Sequence, residues 1–459
     1  MRISKYAAAV ASLFCVSLAH AQTAHEQTAA NLAALRGLAP VSALQASSGG
    51  KVALKANLAV TGAIQQGRAH QPTLRPFAEE QQEALRDAFI TGSNALELSD
   101  GLGTSLEAAY KADATCTSSD DGQTSNCTNL SPAIADFIAY ASSLERSDAE
   151  AAKFFFGNAT LDGKSPVSAD TMATLTKIDG TPDIFGKAYG LVAGSKGANP
   201  YGNSRPFMTE PRSLTYEGKD YFGVPLQNVA YLRGPVQDLT ASPSFPSGHT
   251  AYGYTEALLL GILVPERYSQ MVVRGADYGN HRIIIGAHYT MDVLGGRTLA
   301  EYDLAQLLAN KPGYVGEKRR GLALDDFRQA LELARADINK ALTAGCGASV
   351  AICARNDHGR FADAGKDRTF YEATQTYGLP VVYTKMVSRT EDVGKVAPEA
   401  GYLLTAAFPY LSLAQADAIL TETEGPGGRF LDNGSAFGVY SRLDLYRASL
   451  RAMATKAAR

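Results

Sequence analysis

The chain of 459 residues contains no Trp, only five Cys, and 19% charged residues. Lys and Arg (43) nearly balance Asp and Glu (46), so the formal charge is −3 with His neutral. A chain this close to charge balance is a poor candidate for a nucleic-acid binder with a broad basic face. Long apolar runs are also scarce, and a mean hydropathy of −0.12 disfavours a multi-span membrane protein. The apolar share of 45% is that of a globular chain and excludes wholesale disorder. The length is compatible with roughly three domains, or with one large domain carrying extensions. Three of the seven His, namely His249, His281 and His288, fall close together.

The N-terminus reads as a secretory signal peptide over residues 1–21. Arg2 and Lys5 precede an apolar run from Tyr6 to Leu18, and Ala19-His20-Ala21 supplies the small-x-small cleavage pattern. The run is too short for a membrane anchor. Cys15 lacks the preceding small residues of a lipoprotein signal. Export to the periplasm or medium favours disulfides among the remaining Cys116, Cys127, Cys346 and Cys353. Of the three connectivities, the local one, Cys116–Cys127 with Cys346–Cys353, closes the shortest loops. Such loops mostly pin local geometry.

Helical periodicity dominates the rest. Residues 22–75 form an Ala-, Gly- and Gln-rich lead-in, expected to be weakly ordered with short helices, and broken at Ser47-Ser48-Gly49-Gly50. Residues 76–113 turn helical, the Cys116–Cys127 stretch reads as a polar loop, and 133–145 and 148–157 read as two helices. Gly/Pro-rich loops run from Gly180 to Pro246. Thr250–Leu263 is an apolar helix, Ile283–Asn310 reads as one long helix containing Gly295-Gly296, and Lys311-Pro312-Gly313 marks a boundary. An amphipathic helix is expected over Leu322–Leu342, and at least two more over 397–459. Strand patterns are few. The expected fold is an all-α helical bundle, divided as an N-terminal helical extension (22–129), a core (130–312) and a C-terminal helical extension (313–459).

Three clusters carry the chemistry. Arg205-Pro206 follows a Gly/Asn/Pro-rich loop that contains Lys196. Pro246-Ser247-Gly248-His249 leads directly into the apolar helix, placing backbone N–H groups at a positive helix end, which is an anion site. Gly248 permits close backbone approach. Arg282, His288 and Asp292 complete the set. At i, i+4 spacing, Asp292 and His288 are expected to share a helix face, so the carboxylate fixes the imidazole tautomer and frees the other nitrogen as a nucleophile. Arg205 and Arg282 offer permanently charged forks for phosphate-like oxygens. Any one cluster alone is unspecific, since an i, i+4 His/Asp pair is most often a surface or capping contact. Their order and spacing together give the signal.

That combination resembles the type 2 phosphatidic acid phosphatase superfamily, which also includes the vanadium haloperoxidases. Its signature is K-x6-R-P, P-S-G-H and S-R-x5-H-x3-D. The second part is complete at Pro246-Ser247-Gly248-His249, and the third is present at Arg282, His288 and Asp292, with His281 standing for Ser. In the first part Ala198 occupies the Lys position before Arg205-Pro206. Lys196 on a longer loop is the leading substitute, a lost lysine is the rival, and Lys187 is a distant third. The resemblance covers roughly residues 130–310. It implies that His288 attacks phosphorus to form a phosphohistidine, that Asp292 orients it, and that His249 protonates the leaving group and later activates water. It further implies that Arg205, Arg282, Lys196, Ser247 and Gly248 bind the phosphate oxygens without a metal. His281 reads as a pocket residue or as a helix N-terminal residue, the second being favoured. His20, His25, His70 and His358 lie in the leader or in polar stretches and read as incidental.

Two chemistries share such a pocket. The short His249-to-His288 separation and the absence of Trp favour a soluble exported acid phosphatase of the bacterial kind, acting on small phosphomonoesters with no cofactor. A haloperoxidase would hold vanadate in the same pocket, and vanadate or phosphate would inhibit the phosphatase. A non-catalytic anion-binding protein is a third reading, supported only by the displaced lysine. No nucleic-acid partner and no membrane span are expected. Three roles suit the long flanks: covering the mouth of the site, setting substrate size, or holding a homo-oligomer together.

Overall fold

A computed structural model describes residues 28–457, apart from 69–71, 89–94, 119–124, 129, 157–172, 174–182, 210–213, 220–224, 232–238, 241, 320, 356 and 358. The signal-peptide segment and His20, His25, His70 and His358 lie outside the described residues.

The architecture is helical, as expected. The centre is the Gly248–Leu263 helix, which is buried along almost its whole length after the first turn. A helix apolar on all sides needs partners on all sides. Pro132–Phe156, Tyr268–Ile284 and Thr290–Leu308 pack around it. Pro132–Phe156 is one helix where two were expected. Conversely, the expected Ile283–Asn310 helix is two, because Gly286 takes a φ of 79° and ends the first. The N–H groups of Ala287 and His288 turn back onto the Arg282 carbonyl, which closes that end (3.0 and 3.2 Å).

The lead-in is more regular than its composition suggested. Ala29–Leu38 and Ser48–Gln65 are helices, and the Ser47-Ser48-Gly49-Gly50 break is the start of the second. Ser47 accepts the Gly50 N–H at 2.9 Å as an N-cap. The amphipathic helix expected over Leu322–Leu342 runs instead over Phe327–Cys346, because Leu322–Ala323 is a strand and Asp326 caps the helix start. The C-terminal segment contributes Leu413–Glu422 and Leu445–Ala457.

Among the described residues, three two-stranded antiparallel ribbons escaped the sequence reading. They pair Thr115–Ser118 with Ser125–Thr128, Leu214–Lys219 with Pro225–Tyr231, and Lys318–Arg319 with Leu322–Ala323. Strands this short offer too few residues for a clean alternating pattern in the sequence. In the first, Cys116 and Cys127 stand opposite one another in register. Cys346 and Cys353 form a disulfide with a Cα–Cα distance of 6.5 Å.

Two buried apolar clusters hold the chain together, and each draws on all three expected segments. One joins Leu106, Phe137 and Leu258 to Leu331, Leu403 and Tyr440. The other joins Leu35, Leu54, Phe156, Ile283 and Met291 to Phe430.

One buried group is electrostatically costly. Glu145, Asp148 and Asp303 are all 0% exposed, with Asn31 donating to Asp148. Burial, followed by its neighbours Asp148 and Glu145, holds the Asp303 carboxyl well above the usual range, and burial lifts Asp148 to about 6. A carboxyl whose pKa is raised on folding supports the fold below its ordinary value near 4 and loses that support as pH rises. Asp303→Asn removes one ionisation at nearly constant shape. It should therefore stabilise the protein by at least about 1 kcal/mol at pH 8, and less at pH 5. Urea unfolding at both pH values checks this, and equal or lower stability of the variant at pH 8 would contradict it.

Candidate active site

The site forms where the loop preceding Gly248–Leu263, the loop preceding Thr290–Leu308 and the Arg205 segment meet. Ser247 is the N-cap of the first helix. Its hydroxyl oxygen accepts the Thr250 N–H (3.1 Å) and the Thr250 hydroxyl (2.8 Å). With its lone pairs engaged, its own hydrogen is left to donate. Ser247 N–H donates to the Asp292 backbone carbonyl at 2.9 Å, tying the two helix starts together. Gly296 makes this approach sterically possible, since a Cβ there would collide with the Ser247 carbonyl.

His288 and Asp292 do not share a helix face. His288 lies in the loop before Thr290–Leu308, and Asp292 sits in that helix's first turn. They still meet, with His288 Nδ1 3.4 Å from Asp292 Oδ2. Asp292 is held by the Tyr289 N–H at 2.8 Å and by the Ser244 hydroxyl. From the N-terminal segment, Asn57 Oδ1 accepts the Met291 N–H (2.9 Å) and the Thr290 hydroxyl (2.5 Å), while Thr61 accepts the Thr290 N–H (3.1 Å). The expected extension therefore caps the helix that carries Asp292.

Arg205 fixes the tautomer of His288. Its guanidinium is fully buried and braced by the Ser242, Pro243 and Ala287 carbonyls and the Ser242 hydroxyl. Its Nη1 lies 2.9 Å from His288 Nε2. Arginine only donates, so Nε2 must present a lone pair and Nδ1 must hold the proton, facing Asp292. His249, partly exposed, stands across the site with its ring 6.2 Å from that of His288.

The local charge is positive. Burial, then Arg205, Lys153 and Arg282, hold His288 well below the usual imidazole range, so it is neutral at physiological pH. Burial, then Arg282, Lys153 and Arg205, do the same to His249. Burial lifts Asp292 to about 7 against the opposing Ser244 and Tyr289 hydrogen bonds. An anion entering this site would raise both imidazole pKa values again.

Arg205, His249, Ser247, Gly248, Arg282, His288 and Asp292 are thus brought together, while Lys196 makes no hydrogen bond or ion pair with them among the described residues. Lys196 is exposed on a turn, and Lys187 is exposed as well. Sequence reasoning overlooked Ser244 and Lys153. Lys153 is a lone cation among the buried Ala149, Ala152 and Phe156 of its helix, and that contrast is the signal the sequence carries for it.

His281 is neither a pocket residue nor at a helix N-terminus. It lies in the last turn of Tyr268–Ile284 and is fully buried. Its Nδ1 is 2.6 Å from Asp87, and its Nε2 is 2.9 Å from Glu80 and 3.3 Å from Asp277. Glu80, Asp277 and His281 are the one group among the described residues close enough to hold a metal ion. Arg360 already pairs with Asp277, and Arg274 with Asp87 (2.9 Å), so cationic side chains balance this cluster.

Residues 191–304 match the family model described as the PAP2 superfamily. An acid phosphatase of Zymomonas mobilis is 31% identical over 145 residues, which are 32% of this chain and 44% of the relative. A non-specific acid phosphatase of Salmonella typhimurium is 44% identical over 69 residues, 15% of this chain and 28% of the relative. That of Providencia stuartii is 37% identical over 89 residues, 19% of this chain and 35% of the relative. The chain spans less than half the length of each of these curated relatives. Lys153 lies outside the matched PAP2 segment.

Proposed function

We propose that the chain is an exported acid phosphatase that hydrolyses small phosphate monoesters through a phosphohistidine, without a metal. The observation that carries this is the Arg205 contact to His288 Nε2, which leaves a neutral imidazole lone pair facing a cationic pocket. A binder of anions has no need of such a nucleophile.

In the first step Nε2 of His288 attacks phosphorus in line, a P–N bond forms and the ester P–O bond breaks. His249 passes its proton to the leaving alkoxide. Arg205, Arg282 and the Ser247 hydroxyl and Gly248 N–H stabilise the charge spread over the equatorial oxygens. The Nδ1 proton stays hydrogen-bonded toward Asp292, which offsets the positive charge growing on the ring. In the second step His249 takes a proton from water, the water oxygen attacks phosphorus, and the P–N bond breaks to release phosphate.

The leader-like N-terminus supports export, and no helix among the described residues is long and apolar enough to cross a membrane. The names of the relatives support the reaction class. The test is hydrolysis of p-nitrophenyl phosphate by the purified mature protein in EDTA, from pH 4 to 8. Turnover that survives EDTA and is inhibited by vanadate is expected. Loss of turnover in EDTA would overturn the metal-free mechanism. Halide oxidation with vanadate and peroxide, in place of phosphatase turnover, would overturn the function.

A further inference from the structure

We propose that Lys153 is the lysine of the phosphate pocket, reaching it from the Pro132–Phe156 helix in place of a lysine before Arg205. This rests on the phosphatase reading above. Three observations carry it.

The first is position. A Cβ built on Gly248 would stand 3.6 Å from Lys153 Nζ, with Ala149 Cβ at 3.5 Å on the same side. The ammonium therefore lies beside the backbone N–H groups that open the Gly248–Leu263 helix, where an oxyanion would sit. The second is burial. Lys153 is 8% exposed, whereas Lys196 and Lys187 are exposed. Among the described residues no ion pair engages its ammonium. A buried, unpaired ammonium is expensive unless an anion joins it. The third is charge balance. Arg205, Arg282 and Lys153 act on the two imidazoles, and among the described residues Asp292 is the one carboxylate hydrogen-bonded within the group. Burial and then Arg205 also push Lys153 down to about 7, against Glu150 and Asp292, so it is fully charged at acidic pH and sheds its proton near neutrality.

A lysine on this helix serves the same chemistry as one before Arg205, because an ammonium acts as a point charge and needs only proximity, not a fixed approach direction. A helix one layer away can thus take over a contact ordinarily delivered by a loop.

The experiment measures inorganic phosphate binding by calorimetry and p-nitrophenyl phosphate kinetics at pH 5.5, for wild type, Lys153→Met, Lys153→Arg and Lys196→Ala. Lys153→Met should weaken phosphate binding at least about tenfold and raise KM, with its thermal midpoint retained, while Lys196→Ala matches wild type. Lys153→Arg should restore much of the affinity. Between pH 6 and 9 the wild type should lose more affinity than Lys153→Arg. The groups facing residue 153 are Arg146, Glu150, Arg205, His249, His288 and Asp292, and they are common to both proteins. Unchanged phosphate affinity in Lys153→Met, or a loss in Lys196→Ala instead, would overturn the proposal while leaving the phosphatase reading intact. If Lys153→Met does not fold, identical pH profiles for wild type and Lys153→Arg would overturn it. A wild type that neither hydrolyses the ester nor binds phosphate would overturn the phosphatase reading and this proposal with it.

Discussion

His288→Ala is expected to lower phosphate-ester hydrolysis by at least about 10⁴-fold, since removal of a covalent nucleophile eliminates the reaction path itself. The loss should fall on kcat. Arg205, Arg282, Ser247 and Gly248 stay in place in the variant, so phosphate binding should persist within about tenfold of wild type. The fold should tolerate the change, because His288 is fully buried yet lies in a loop whose backbone is closed by the Arg282 carbonyl. Steady-state kinetics and phosphate calorimetry on the same preparation separate the two effects. A variant that retains a tenth of wild-type kcat would remove His288 from the nucleophile position.

His281→Ala should cost about 3–5 kcal/mol of stability, because it strips the shared cation from Glu80, Asp87 and Asp277 and leaves buried carboxylates under-compensated. Burial alone would lower the pKa of His281, but Asp277, Asp87 and Glu80 outweigh it and raise it to about 10. The sign follows. A histidine raised on folding lends its full stabilisation below its ordinary value near 6.5 and loses it as pH climbs through 10. Wild-type stability should therefore fall steadily between pH 7 and 10, and the variant, already without this support, should show a flatter profile. Adding Glu80→Gln to His281→Ala should recover part of the loss, since one carboxylate then needs no partner. Urea unfolding across this pH range checks all three statements. Wild-type stability in His281→Ala, or the same alkaline fall in both proteins, would contradict them.

The two histidines show how unevenly a sequence discloses its site. His249, His288, Asp292, Arg205 and Arg282 were legible because their chemistry is local: a helix start, a His/Asp spacing and two permanently charged forks, in fixed order. The His288–Asp292 pair was found for partly the wrong geometric reason, since i, i+4 spacing suggested one helix face and Gly286 instead breaks the chain between Arg282 and His288. The contact survives because a first-turn carboxylate can reach back to the loop that enters its helix. His281 was misplaced because its partners Glu80 and Asp87 are about 200 residues earlier, as its hydrogen bonds show. No local pattern reveals a carboxylate delivered from another helix. Lys153 escaped for the same reason. Its sequence neighbours are apolar, and only tertiary packing brings its ammonium to Gly248. The helical class was legible from periodicity, whereas the order of the lead-in depends on burying Leu35 and Leu54 against segments far along the chain.

The proposed chemistry turns on a covalent bond between phosphorus and His288. Acid-labile phosphoramidates persist at alkaline pH, so the direct measurement is rapid mixing with p-nitrophenyl phosphate, alkaline quench, and peptide mass spectrometry of the segment containing residue 288. A phosphoryl group on His288, formed within the first turnover and absent from His288→Ala, is the result expected. Steady turnover with no phosphoryl adduct at any mixing time, or an adduct on His249 instead, would contradict the account.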